Sequence, residues 1–152
     1  MFPYRVKAVM LAAALLFSSS LYAVAGPAED QFAVAAGHYE QSRWRLAGAE
    51  FQTFLDKHAD HELAGQAMFF RSESLVQLGD LEKAAEGFRR YLERRTAPPM
   101  AHVARFRLGE TAYLRQVGDV AQQALEDFHR QHPNDSRNEF ALVYLGELAL
   151  EK

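Results

Sequence analysis

The feature that most constrains this chain is a recurrence at an interval of 37 residues. Ala67, Ala104 and Ala141 keep that interval, and so do Glu73, Glu110 and Glu147. Ala47, Ala84 and Ala121 keep it as well. Each of these alanines is followed one turn later by Phe51, Phe88 or Leu125, and then by Phe54, Tyr91 or Phe128. Self-similarity with a period of roughly 20–50 residues marks a fold made by stacking copies of one small unit.

The clearest copy runs from Ala67 to Leu92. Met68, Phe69, Leu75, Val76 and Leu78 share one face of a first helix, and Leu81, Ala84, Ala85, Phe88, Tyr91 and Leu92 share one face of a second. Spacings of three and four residues produce those faces. Between them, Gly79 can take the left-handed conformation that ends a helix, and Asp80 can cap the next. The result is a helical hairpin. One hairpin cannot cover both of its apolar faces, so it needs copies on either side. Ser72, Gly109 and Gly146 on first helices, and Ala47, Ala84 and Ala121 on second helices, are small where antiparallel backbones must approach closely.

The pattern predicts helices over about 27–41, 43–58, 62–78, 80–94, 100–116, 119–131 and 137–151. Pro98-Pro99 cannot lie inside a helix and reads as a loop between copies, because the period continues across it. Gly118-Asp119 lies 39 residues after Gly79-Asp80, which predicts that the third first helix is longer and its partner shorter. The unpaired helix at 137–151 is apolar at Leu142, Leu145, Leu148 and Leu150. Residues 137–152 are therefore candidates for self-association or for docking onto another chain.

Leu-Gly-Glu at 108–110, Leu-Gly-Asp-Leu at 78–81, and Ala84 with Phe88 resemble tetratricopeptide repeats. Phe51-x-x-Phe54-Leu55 and Tyr144-Leu145-Gly146-Glu147 are similar to the variant found in bacterial envelope proteins. Those include the periplasmic partner of the Tol-Pal system and the outer-membrane assembly lipoprotein. The resemblance spans about residues 28–151 and implies an all-α fold, a right-handed α-solenoid of antiparallel hairpins with about 3.5 repeats. The repeats fall at 28–60, 61–97, 98–134 and, as a half repeat, 135–152. The chain lacks the cysteine that the assembly lipoprotein needs for its lipid.

Residues 1–25 have the grammar of an export signal. Arg5 and Lys7 precede an apolar run, and Ala23-Val24-Ala25 supplies small residues before Gly26. Cleavage after Ala25 is expected, with an uncleaved anchor as the alternative. Cleavage would leave a repeat domain at 26–152 with no membrane span, in the periplasm or secreted. Without Arg5 and Lys7 the net charge moves from −3 to −5, which argues against general nucleic-acid binding.

No phosphate-binding glycine loop, G-x-S-x-G or H-E-x-x-H motif occurs, and there is no cysteine. The chain is not expected to be an enzyme, to need a cofactor or to hold a metal. His58/His61 and His129/His132 have a spacing that could serve a metal. Their place near the ends of second helices fits an imidazole meeting free carbonyls instead. Arg89, Arg90, Arg94 and Arg95 read as a solvated face interleaved with glutamates. In the repeat frame Glu73, Glu110 and Glu147 face the inner wall, with Phe69, Phe106 and Val143 a turn before them and Val76 and Tyr113 after. These eight residues are the candidate groove for a protein or peptide, its carboxylates choosing basic side chains. The competing reading pairs the glutamates with Arg71, Arg105 or Arg107 as parts of the wall. The function expected is that of a periplasmic scaffold or adaptor in envelope assembly or division, or else an accessory or regulatory subunit of an envelope enzyme.

Overall fold

The structure is a computed structural model that describes residues 26–94 and 99–150. Among the described residues the chain forms seven α-helices and no strand: α1 (Pro27–Glu40), α2 (Trp44–Lys57), α3 (Ala64–Gln77), α4 (Leu81–Leu92), α5 (Ala101–Leu114), α6 (Gly118–Gln131) and α7 (Asn138–Leu150). The segment read as an export signal lies outside the described residues.

Each helix packs against the next in the chain, and α1 touches α3 as α5 touches α7. The helices therefore make a linear stack: α1–α2, α3–α4 and α5–α6 are hairpins, and α7 takes the place of the first helix of a fourth. The core follows the recurrence. Ala47, Ala84 and Ala121 are fully buried, and so are Phe54, Phe128 and, nearly, Tyr91. Full burial of one such ring contributes about 1.5–3 kcal/mol, whereas an exposed ion pair contributes about 0–1. The aromatic row holds the stack together more than its many surface charges do. Phe69 packs on Phe88 and Tyr91, and Phe106 on Phe128, with ring centroids 5.4–5.7 Å apart. The Met100 amide donates to the Tyr91 hydroxyl at 3.0 Å, which ties α5 to the hairpin before it.

The small residues mark real close contacts. A Cβ on Gly87 of α4 would meet the Ser72 hydroxyl of α3, and one on Gly109 of α5 would lie 2.8 Å from the Leu125 side chain of α6. Gly146, the third member of the Ser72/Gly109 set, has nothing within 4 Å of such an atom. Among the described residues, no second helix packs on α7 as α4 packs on α3.

The turns correct one expectation. Gly79 has φ +78°, but the third hairpin turns at Gln116 (φ 59°), not at Gly118, and the first turns at Ser42 (φ 57°). These three positions keep the interval of 37. The hydrogen bonds repeat with them. Arg43, Asp80 and Val117 amides donate to His38, Leu75 and Ala112 carbonyls at 2.9–3.0 Å, and Ser42, Gly79 and Gln116 amides to Tyr39, Val76 and Tyr113 carbonyls at 2.8–3.0 Å. This is one helix-ending motif in three copies. The third first helix is therefore no longer than the second, and Gly118 opens α6. α3 also starts later than the pattern predicts. His61 lies in the turn before it, its Nδ1 accepting the Leu63 amide at 3.2 Å.

Candidate interaction surface

The recurring glutamates lie on first helices, and each reaches along the stack to the neighbouring first helix. Glu73 of α3 accepts two bonds from Arg107 of α5, from Nε at 2.8 Å and from Nη2 at 2.9 Å. The same guanidinium gives Nη1 to Glu110 at 2.6 Å. Glu110 in turn accepts from the Tyr144 hydroxyl of α7 at 3.2 Å. Glu147 of α7 accepts from the Tyr113 hydroxyl of α5, and Tyr113 stacks on Tyr144 with centroids 4.5 Å apart. A chain of polar contacts thus runs α3–α5–α7, with one forked arginine at its centre.

Glu73 is only 6% exposed. Burial pushes its carboxyl pKa up, and Arg107 works against that shift. Burial disfavours the Arg107 cation as well, but Glu73 and Glu110 more than offset it and hold the guanidinium protonated. Burial raises the phenols of Tyr39 and Tyr144; Glu73 adds to the first effect and Glu110 to the second.

This geometry divides the eight candidate residues. Phe69 and Phe106 are core residues, sealed within their own hairpins, and offer no surface to a guest. Glu73 is spent on Arg107. Val76, Glu110 and Tyr113 are half-buried. Val143 is exposed, as is Glu147. The accessible part of the row is therefore its α5–α7 end. There the apolar side chains of Phe140, Leu142, Val143 and Leu150 stand in solvent, each more than half exposed. Arg107 was among the arginines the sequence offered as partners. Tyr144 stands at the Arg107 position of the next copy, and its hydroxyl replaces the guanidinium there, a substitution that charge pairing alone does not point to.

Four of the six histidines serve the turns. His58 and His132 end α2 and α6, their amides donating to Phe54 and Phe128 carbonyls. His129 meets Asn138 at 2.9 Å, and His61 meets Glu29 at 3.3 Å. No group of three or more His, Cys, Asp or Glu side chains that could hold a metal occurs among the described residues. No helix among them is long and apolar enough to cross a membrane.

Helix hairpins stacked in register, with a partly open row along their first helices, define a helical-repeat interaction module. A family model described as tetratricopeptide repeat-like domain matches residues 6–141, and the chain belongs to that family. Such domains generally bind other proteins. No curated protein matches the chain. The family match begins inside the segment read as an export signal.

Proposed function

We propose that this protein is a periplasmic scaffold or adaptor that holds a partner protein through the α5–α7 end of its first-helix row, in the service of envelope assembly or division. The observation that carries the reading is α7. It has the face of a first helix, including Gly146 with open space before it, and it exposes Phe140, Leu142, Val143 and Leu150 together. Exposed apolar residues grouped on one element favour a docking surface over a solvated face. The export grammar of residues 1–25 supports the compartment, and the similarity to Tol-Pal and assembly-lipoprotein repeats supports the process. The reading includes no catalytic step. An accessory subunit of an envelope enzyme would use the same surface.

The test replaces Phe140 and Val143 together with lysine. Both side chains are exposed, so helical circular dichroism should stay unchanged. A protein captured from envelope extract by the wild type should be lost with the variant. Equal capture by both rejects this surface. Sizing of the wild type over a concentration series distinguishes a second copy from a foreign partner. The mass of the exported chain settles whether cleavage follows Ala25.

A further inference from the structure

A second surface lies away from the glutamate row. α2 and α4 lean on α3 from either side, and the cleft between them is floored by Met68 and Arg71 of α3. Its volume is about 830 Å³. Six cationic side chains line it against three carboxylates, in a chain whose net charge is −3. The carboxylates are largely committed. Asp80 holds Lys83 at 2.6 Å, and Glu86 accepts from both Arg89 and Arg90. Arg71, half-buried at the floor, and Arg94 at the end of the cleft have no ion pair or hydrogen bond among the described residues. Burial and the nearby Arg90 cation pull the Arg71 pKa below its ordinary value, and the more weakly felt carboxylates of Asp56 and Asp80 do not offset them.

The fold does not ask for these charges. A smaller cleft of about 280 Å³ occupies the same place in the next repeat. Each of its seven lining residues lies 37 positions beyond a residue lining the first. There Arg71 is replaced by Leu108, Lys83 by Val120, Arg90 by Asp127 and Arg94 by Gln131. In the first and last copies the Arg71 position is Val34 and Leu145. Three of four copies thus place an aliphatic side chain where the second places an unpaired, half-buried guanidinium. Burying a cation without a partner costs free energy, and an aliphatic residue would avoid that cost.

The structure assigns this cleft as a receptor for an acidic peptide segment of a partner protein, with Arg71 as the buried anchor and Arg90 and Arg94 as its outer clamp. Guanidinium forks match carboxylates in pairs of hydrogen bonds. Leu55 and Met68 offer apolar contact to the stems of glutamates or to aliphatic neighbours. Glu82, largely exposed on the wall, repels a continuous polyanion, which favours a peptide of spaced carboxylates over nucleic acid. This site does not depend on the reading of α7.

The test measures fluorescence anisotropy of a labelled peptide of alternating Glu and Leu with the full chain, and of its Lys-for-Glu counterpart. The Glu peptide should bind at low salt and weaken as salt rises, and the Lys peptide should not bind. Arg71→Leu installs the residue that the next repeat tolerates, so the fold should survive, and affinity should fall about tenfold or more. Arg90→Asp with Arg94→Gln should abolish binding. Phe140→Lys with Val143→Lys should leave it unchanged, which separates failure here from failure of the α7 surface. Equal binding of both peptides, or equal affinity of wild type and Arg71→Leu, would overturn the assignment. So would binding of inorganic phosphate or of anionic phospholipid vesicles without binding of the Glu peptide.

Discussion

The second hairpin, α3–α4, and the third, α5–α6, can be superposed residue for residue in sequence, yet they treat their surroundings differently. They agree at Ala67 and Ala104, at Ala84 and Ala121, and at Tyr91 and Phe128, all inside the stack. They part company on the outer cleft, which is cationic in one and close to neutral in the other. They differ again in how a glutamate on the first helix finds its partner: Glu73 takes a forked arginine, whereas Glu110 shares that arginine and takes a tyrosine. In a repeat protein, what recurs is what stacking requires. Residues that break the recurrence are free to carry a particular function. The glutamates belong mostly to the first kind and Arg71 to the second.

The largest effect should come from the link between these two hairpins. Arg107→Leu leaves the Glu73 carboxylate buried without its cation. The cost at pH 7 should be about 2–3 kcal/mol, less than for a fully buried pair because the arginine keeps some exposure. Tyr144→Phe at the next junction removes one bond of 3.2 Å to a half-buried carboxylate and should cost about 1 kcal/mol or less. The pH dependence sharpens the contrast. The folded Glu73 pKa already lies above its ordinary 4.5, and losing Arg107 raises it further. A carboxyl raised in the folded state favours folding at low pH and loses that contribution as pH rises through the folded value. Urea unfolding should therefore show a smaller gap between Arg107→Leu and wild type at pH 5 than at pH 7. An equal gap at both would mean that Glu73 is not the group left stranded.

A smaller effect separates the covered hairpins from the uncovered helix. Valine at Gly109 would drive its Cβ into Leu125 and within 3.3 Å of that residue's backbone nitrogen, so α6 must shift. The expected loss is about 2 kcal/mol. Valine at Gly146, the same repeat position on α7, meets nothing and should change stability by less than about 0.5 kcal/mol. Thermal unfolding of the two variants checks this. Equal losses would show that α7 is covered in solution, by a second copy or by another part of the chain.

The stack was legible in the sequence because burial there depends on size and spacing alone. Small residues at 47, 84 and 121 and rings at 54, 91 and 128 leave few other arrangements. The interaction surface was less legible. Phe69 and Phe106 stand one turn before the glutamates on nearly the same helix face, but rings of their own hairpins cover them, Phe88 and Tyr91 the first and Phe128 the second. The cleft around Arg71 escaped because the arginines of α4 look like a solvated face until α3 is laid beside them. A signal was present: an arginine aligned with Val34, Leu108 and Leu145 is out of place in its own repeat.

The turn at Gln116 shows the same limit at the level of the backbone. A left-handed residue is announced by glycine, and the nearby Gly118-Asp119 imitates Gly79-Asp80 while opening α6. The motif is enforced by its two hydrogen bonds and by the helices on either side, so glutamine accepts a conformation that glycine adopts without steric cost. Gln116→Gly should relieve that strain and raise stability by up to about 1 kcal/mol, the gain being reduced by the entropy glycine adds to the unfolded chain. Gly79→Ala should lower it by about 1 kcal/mol, although no neighbour lies within 4 Å of the new methyl. Opposite signs at two positions of one motif can arise only from backbone conformation. Equal signs in chemical denaturation would place the third turn at Gly118 after all.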